Sequence, residues 1–371
     1  MVTFGMLHSR PAIAVIVLGY NDLQHLEGAL ESTLCQDYPN YRTIFVDSAS
    51  SDDSVAFVKQ RFPGVEVISL QVNLGYAGAY RVVLSQVLDD ACDAAVLLNA
   101  DVEVDANWLS ELVQSAYASE DIGFAQPKIY LWDGRVLNSF GNCLNFLGFG
   151  YCGRYGEPDS DATTRDAEVA LASGACLLVK RLAYWDVEGL DESFFAYVED
   201  QDLVWRGRMR GWRAVASAES KMRHKYRFLD PSRNKQKVLL YERNRIRFIV
   251  KNYSLGLIVC IAPAFVLVEV GILFQGVLRG YLWQKCRAYV EVVHGLPRLL
   301  AARRRVQQDR VVGDCDLILL MSPTIEFPEL GGGLGMRVLA RCLGMYYRVL
   351  AWGARYWRRR RVVSAVSAGA R

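Results

Sequence analysis

The chain has 371 residues, enough for one sizeable core with added modules or for two domains. Its 43 Lys+Arg against 40 Asp+Glu leave a formal net charge of only +3, so the totals argue neither for nor against a polyanionic partner. Nine cysteines, with no CxxC pair and no histidines at metal-ligand spacing, point to reduced thiols in a cytosolic compartment and away from structural zinc.

In chain order, "AIAVIVLG" after Pro11 is too short and too poorly flanked for a signal peptide, and it reads as a buried strand. "LQHLEGALESTLCQ" carries apolar residues three and four apart, as a helix does. "YRTIFVD" is a strand, "SDDSVAFVKQRF" a helix opened by capping residues, and "VEVISL" a strand. The Gly-punctuated helix "GYAGAYRVVLSQVLDD" then leads to the strand "AAVLLN". Short apolar runs joined by amphipathic helices predict an α/β fold with a mostly parallel sheet covered on both faces. Ligands of such sheets sit at the carboxyl ends of the strands, which directs attention to Asp47, Asn73 and the residues after Leu98.

Residues 130–170 lose this rhythm; rich in Gly, Asn and Tyr, they read as a loop-bearing segment shaped for a ligand. "EVALASGACLLVKRLAYWDVEGL" resumes with a strand and a turn. "FFAYVEDQDLVWRGRMRGW" (194–212) then crowds Glu199, Asp200 and Asp202 against an apolar stretch. Arg206, Arg208 and Arg210 read as a solvated helix face, Gly211 as the helix end, and Trp212 as packing beneath the site. "RNKQKVLLYERNRIRFIVKNY" predicts a basic amphipathic helix. The segment 254–278 that follows has only Glu269 charged.

That segment exceeds the roughly 20 apolar residues a bilayer span needs. Pro263 and Glu269 lie inside it and both flanks are basic, so the charge rule gives no orientation, and a re-entrant or interfacial arrangement explains the symmetry better than a span. A buried core helix is the third reading. Acidic residues concentrate in the first 205 positions, while "RRR" (303–305) and "RYWRRRR" (355–361) make the tail basic. Beside an apolar segment such a cluster reads as an anchor for an anionic lipid surface rather than as a nucleic-acid site. "GGGLG" (331–335) reads as a flexible break in a mostly helical tail.

Three places can carry chemistry. Asp47 closes an apolar strand above "SASSDDS", and is either part of a helix cap or a ligand contact; no GxGxxG precedes it. Asn99, Asp101 and Glu103 gather at the end of the buried strand "LLN". Hard oxygens there suit Mg²⁺ or Mn²⁺, or else form an acidic turn before the next helix. His224 in "MRHKY" is a lone histidine of the kind more often structural than ligating.

The ordered motifs "VIVLGYN", "FVDSASSDDS", "NLGYAGAYR", "LLNADV", "LASGACLLVKR", "GLDESFFAYVEDQDLVWRGRMRGWR" and "MRHKY" resemble those of the family 2 glycosyltransferases. The nearest branch is the bacterial rhamnosyltransferase-like enzymes of cell-surface polysaccharide synthesis, and the match covers about residues 11–250. The resemblance implies a GT-A fold and an inverting transfer of a sugar from a nucleotide-diphospho sugar. It implies that Asp47 contacts the base, and that Asn73, Gly75, Gly78, Asn99, Ser173 and Gly174 lie along the nucleotide sugar. It further implies that Asp101, the last member of a DXD-like motif, binds Mg²⁺ or Mn²⁺, with His224 as a further contact, and that Asp200 is the general base with Glu199 its neighbour. Asn99 stands where the strict motif has Asp, and Asp53 where glycine is usual, which leaves the role of Asp53 open.

The expected organisation is an N-terminal tail (1–10), a GT-A catalytic domain (11–230), a basic junction helix (231–253), a membrane-spanning or re-entrant segment (254–283) and a basic helical tail (284–371). The expected partners are a nucleotide-diphospho sugar, a lipid-linked or glycan acceptor and the membrane, with no nucleic acid. The expected location is the cytoplasmic face of a bacterial inner membrane. A catalytically inactive membrane-bound scaffold with the same fold is the alternative.

Overall fold

The computed structural model describes residues 10–88, 92–226, 234–324 and 334–369. The first half alternates as its apolar spacing dictates: β1 (Ile13–Gly19), α1 (Leu23–Leu34), β2 (Tyr41–Asp47), α2 (Ser54–Arg61), β3 (Glu66–Ser69), α3 (Gly75–Val87) and β4 (Ala94–Asn99). A short β5 (Val102–Val104) and α4 (Trp108–Ala116) precede the long β6 (Ile122–Leu131). The irregular stretch after it contains short strands rather than open loop: β7 (Leu137–Ser139), β8 (Asn142–Leu144), β9 (Gly150–Cys152) and β10 (Ala167–Val169). Then come β11 (Cys176–Lys180), α5 (Arg181–Asp186), α6 (Glu199–Arg210) and β12 (Arg213–His224).

Ten of these strands form one sheet in the order β10-β12-β6-β11-β4-β1-β2-β3, with β5 on β12 and β7 on β6; β8 and β9 pair separately. β1 runs parallel to both β2 and β4, and β2 parallel to β3. β11 is inserted antiparallel between β4 and β6. The amino end of β11 therefore lies beside the carboxyl ends of β4, β1 and β2, so one sheet edge collects residues distant in sequence. Side chains alternate between two cores as strand geometry requires: Ala14 and Ile16 pack on one face, Val15 and Val17 on the other. α1 and α4 cover the second face, while α3, α5 and α6 cover the first. This is the mostly parallel, doubly covered α/β sheet that the apolar spacing predicts.

The first core continues into the C-terminal helices. α7 (Lys235–Asn252) and α8 (Leu255–Arg279) are followed by α9 (Leu282–His294), α10 (Leu296–Gln308), α11 (Asp314–Leu317) and α12 (Leu334–Gly369). Phe248 and Tyr253 join Leu257, Ile261 and Val268, and then Leu317, Leu343 and Tyr347, in one contiguous cluster. The tail expected at 1–10 and the break expected at 331–335 lie largely outside the described residues.

Two expectations are corrected. Arg206 and Arg208 are not a solvated face: they are 6% and 4% exposed. α6 runs inside the first core, and its buried arginines are met there by carboxylates and carbonyls. Arg206 donates to Asp202 at 2.9 Å and to the carbonyl of Gly189 at 2.7 Å, and Arg208 donates to Glu168 at 2.8 Å. Only Arg210 is partly open, paired with Asp186 at 2.7 Å. Trp212 does not lie beneath the site either. It follows Gly211, whose left-handed φ of 101° ends α6, and it donates to Asp186 at the opposite end of that helix from Asp200.

Candidate active site

The edge formed by the carboxyl ends of β1, β2 and β4 is where the sequence places its polar residues. Asp47 ends β2 and is 3% exposed. Its Oδ2 accepts from the Ser50 amide at 3.2 Å, while its buried Oδ1 has no partner. A buried acceptor without a donor is costly unless a ligand supplies one, which fits a base N–H. Ser48 links this point to Asn73 by donating to Asn73 Oδ1 at 3.3 Å, and that oxygen also accepts from the Gly75 amide at 2.8 Å. Gly75 opens α3 at φ 68°, with Phe195 O so close that a Cβ would overlap it. Glycine is required there on both counts. Gly78 serves packing, one turn further on, where a Cβ would come 2.8 Å from Leu74 Cβ.

Asn99 closes β4, and its amide donates to Ala175 O at 3.1 Å. Two residues later Asp101 is fixed from behind, its backbone carbonyl accepting from the Lys225 amide at 2.9 Å. Its Oδ1 lies 3.3 Å from Nε2 of His224, the last residue of β12, so two segments far apart in sequence meet here. His224 Nδ1 is 3.1 Å from Asn138 Oδ1. That contact assigns the ring proton to Nδ1 and leaves the Nε2 lone pair facing the Asp101 carboxylate. Two acceptors turned toward one another at this distance suit a shared cation. Among the described residues no third His, Cys, Asp or Glu completes a ligand set. A divalent ion here would take its remaining oxygens from water and phosphate, as Mg²⁺ and Mn²⁺ commonly do. With no cation between them, an Nε2 proton would let His224 donate to Asp101 instead, and that bond and charge outweigh burial to hold the carboxyl below its ordinary value.

Across the same edge stand the acids of α6. Asp200 accepts from the amide of Gln201 and from that of Gly174, each at 2.7 Å. Gly174 and Ser173 precede β11. The Ser173 amide donates to Gln126 at 2.8 Å, and a Cβ on residue 174 would come 3.0 Å from Asp200 Oδ2. Because Ala175 bonds Asn99, the Asp200 carboxylate and the 99–101 turn share one end of the sheet. Burial pushes the Asp200 pKa up against the two amides that favour its anion. Glu199 is 6% exposed with Oε2 unpartnered. Burial first, and then the charge of Asp200, hold its pKa well above the ordinary value. Asp202 has a different part: fully buried, it accepts from Arg206, from Lys251 at 2.8 Å and from Asn252 at 2.8 Å, locking α6 to α7.

The loop before α6 carries backbone strain. Phe195, Tyr197 and Val198 have φ of 64°, 68° and 74°, a region bulky side chains avoid. Asn244 of α7, completely buried, donates to the carbonyls of Phe194, Ala196 and Tyr197 at 2.8–2.9 Å. On its other side the loop accepts the Ala77 amide at Phe195 O, 3.0 Å, while Tyr76 Oη reaches Gly174 O at 2.6 Å. The starts of α3, β11 and α6 are thereby stitched together. Sequence reasoning singled out neither Asn244, Tyr76 nor Asn138. Asn244 sits in a run read for its charges, and the distance from residue 194 to 244 leaves no local signal.

Residues 14–141 match the family model described as Glycosyl transferase family 2. An N-acetylglucosaminyl-diphospho-decaprenol L-rhamnosyltransferase of Mycobacterium tuberculosis is 28% identical over 231 residues, covering 57% of this chain and 75% of that protein. The O-antigen biosynthesis protein RfbC of Myxococcus xanthus is 23% identical over 227 residues, which are 59% of this chain but 18% of that protein. Among solved structures, GalNAc-T7 with UDP, GalNAc and Mn²⁺ superposes with a TM-score of 0.53 at 14% identity. The superposition covers 66% of this chain and 48% of that one, and the likeness is one of fold.

Proposed function

We propose, from the premise that this chain is a family 2 glycosyltransferase of the rhamnosyltransferase-like branch, that it moves L-rhamnose or a similar sugar, with inversion, from a nucleotide-diphospho sugar to a polyprenyl-diphosphate-linked N-acetylglucosamine. The work would be done at the cytoplasmic face of a bacterial cell membrane. The donor and acceptor classes come from the mycobacterial relative's name. The observation that carries the reading is the placement of the Asp200 carboxylate, on two backbone amides, at the same sheet edge as Asp101 and His224.

Transfer with inversion needs a base on one side of the anomeric carbon and charge stabilisation on the other. Asp200 lies in the first turn of α6, where amides and the helix dipole favour its anion while burial raises its basicity. It accepts the proton of the acceptor hydroxyl as the new O–C bond forms and the bond to the diphosphate oxygen breaks. Burial and the Asp200 charge raise the Glu199 pKa, which disfavours a second negative charge beside the base. Asp101 and His224 would hold Mn²⁺ or Mg²⁺, which when bound offsets the charge of the diphosphate leaving group. An imidazole in the set favours Mn²⁺ over Mg²⁺. Asp47 would receive the base, and Asn73 with the α3 start would close over the nucleotide.

The test is nucleoside diphosphate release across a panel of nucleotide sugars, with and without Mn²⁺ or Mg²⁺, in the presence of polyprenyl-diphosphate-N-acetylglucosamine. Asp200→Asn is expected to lower kcat about 10²- to 10⁴-fold with little change in donor KM. Sugar transfer that survives Asp200→Asn overturns the assignment of the base. Absence of turnover with every donor and metal favours the inactive scaffold.

A further inference from the structure

The apolar helix α8 is the one described helix long and apolar enough to cross a membrane. Its packing argues against a crossing. Leu257, Ile261, Ala264, Val268 and Gly276 are buried along one stripe against the rest of the chain. From first to last that stripe is about 28 Å long at the helical rise, close to the full thickness of a bilayer core. The helix is also pinned along its length. Ser254 before its start donates to Asp314, Tyr346 of α12 donates to Cys260 O, and Gly276 lies against Tyr281 and Leu282.

The middle pin is ionic. Glu269 is 7% exposed and pairs with Arg245 of α7, which is completely buried, and with Lys285 of α9 at 2.7 Å. Glu242 closes the cluster with Arg245 at 2.8 Å and with Lys285, and Tyr289 donates to Glu269. α7 is meanwhile held to the loop of the active site by Asn244, the neighbour of Arg245. A perpendicular α8 would either carry α7 and its charges into hydrocarbon or leave Arg245 and Lys285 short of a carboxylate.

The opposite face of α8 is bare. Leu255, Val259, Val266, Val270, Phe274 and Leu278 are 59–71% exposed. α9 adds Trp283, Val290 and Val293, and α12 adds Val338, Met345, Val349 and Trp352, each more than half exposed. On α12 the exposed Arg337, Arg341, Arg348 and Arg355 flank its apolar stripe. Apolar side chains edged by tryptophan and arginine match the boundary between headgroups and acyl chains. A two-fold pairing of this face would set arginines against arginines.

We propose that α8 lies in the plane of one leaflet of an anionic bilayer, its bare face immersed and its Glu269 face bound to the catalytic body, so that both its ends stay on the same side. This rests on the membrane-surface reading above and fixes the topology within it. An environment-sensitive fluorophore is placed at Val259→Cys, Val266→Cys or Phe274→Cys in the full chain, with the other exposed cysteines changed to serine. Quenching is then read in phosphatidylethanolamine–phosphatidylglycerol vesicles carrying spin labels at shallow or deep positions. The in-plane helix gives equal, shallow quenching at all three sites. A span separates Val259 from Phe274 by about 22 Å in depth, and such a gradient overturns the proposal. Vesicle flotation without quenching at any site overturns it and leaves the membrane-surface reading standing; failure to float ends both. Protection of the probes by self-association in the absence of lipid assigns the face to a second copy and overturns it too. Val266→Asp with Val270→Asp is expected to lower vesicle binding at least tenfold at an unchanged thermal midpoint; unchanged binding overturns the immersion of this face.

Discussion

At the scale of single residues, the acids of α6 divide by their surroundings. Glu199 keeps its proton more tightly in the fold than in the unfolded chain, because burial and the Asp200 charge raise its pKa. Its contribution to stability is complete below the ordinary value of 4.5 and is lost as pH climbs through the raised one. Glu199→Gln, which imitates the protonated acid, is expected to remove that part of the loss. Urea unfolding across a pH series checks it; parallel profiles for the two proteins would contradict the account. Asn138 orients the His224 ring, so Asn138→Ala is expected to raise the half-activating Mn²⁺ concentration about 10- to 100-fold with the fold retained. Asn244→Ala withdraws a buried donor from three carbonyls, a cost of about 1–3 kcal/mol in thermal unfolding. Because those carbonyls set the loop before Asp200, kcat is expected to fall more than KM rises.

At the scale of elements, the sequence was informative wherever spacing alone decides. The apolar alternation of β1 to β4, the stop at Gly211 and the polar ends of β2 and β4 were all legible, since each depends on neighbours within a turn or a strand. Arg206 and Arg208 were not, because charge predicts exposure until partners are known, and Glu168 lies 40 residues from Arg208. Nor was the left-handed run at Phe195, Tyr197 and Val198, which uses residues that disfavour it and is stabilised from α7. The short strands within 130–170 escaped detection because each pairs over only two or three residues. The start of α3 is where local chemistry and distant contact coincide. Gly75→Ala combines a left-handed φ with a clash against Phe195 O, so a loss of about 1–2 kcal/mol is expected from the backbone alone. A rise in donor KM is expected with it, measured at saturating metal, since the α3 start and the loop of Asp200 would separate.

At the scale of the whole molecule, the region after residue 253 shares one core with the sheet domain and one buried ion cluster with α7. Removing Glu269 leaves two buried cations, Arg245 and Lys285, sharing the single carboxylate of Glu242, so Glu269→Ala is expected to cost about 3–5 kcal/mol, read from the urea midpoint in the presence of detergent. Glu269→Gln, which keeps an acceptor but no charge, is expected to fall between. The midpoint should move little with added salt, because the charges are shielded from solvent. The same continuity bears on how the protein is handled at the bench. Ending the chain after Tyr253 to obtain a water-soluble protein would strip Phe248 and Tyr253 of their cover and deprive Arg245 of Glu269, one residue from the amide that braces the loop before α6. Such a truncation is expected to aggregate or to lose turnover, whereas the intact chain kept in a mild amphiphile should retain both solubility and activity.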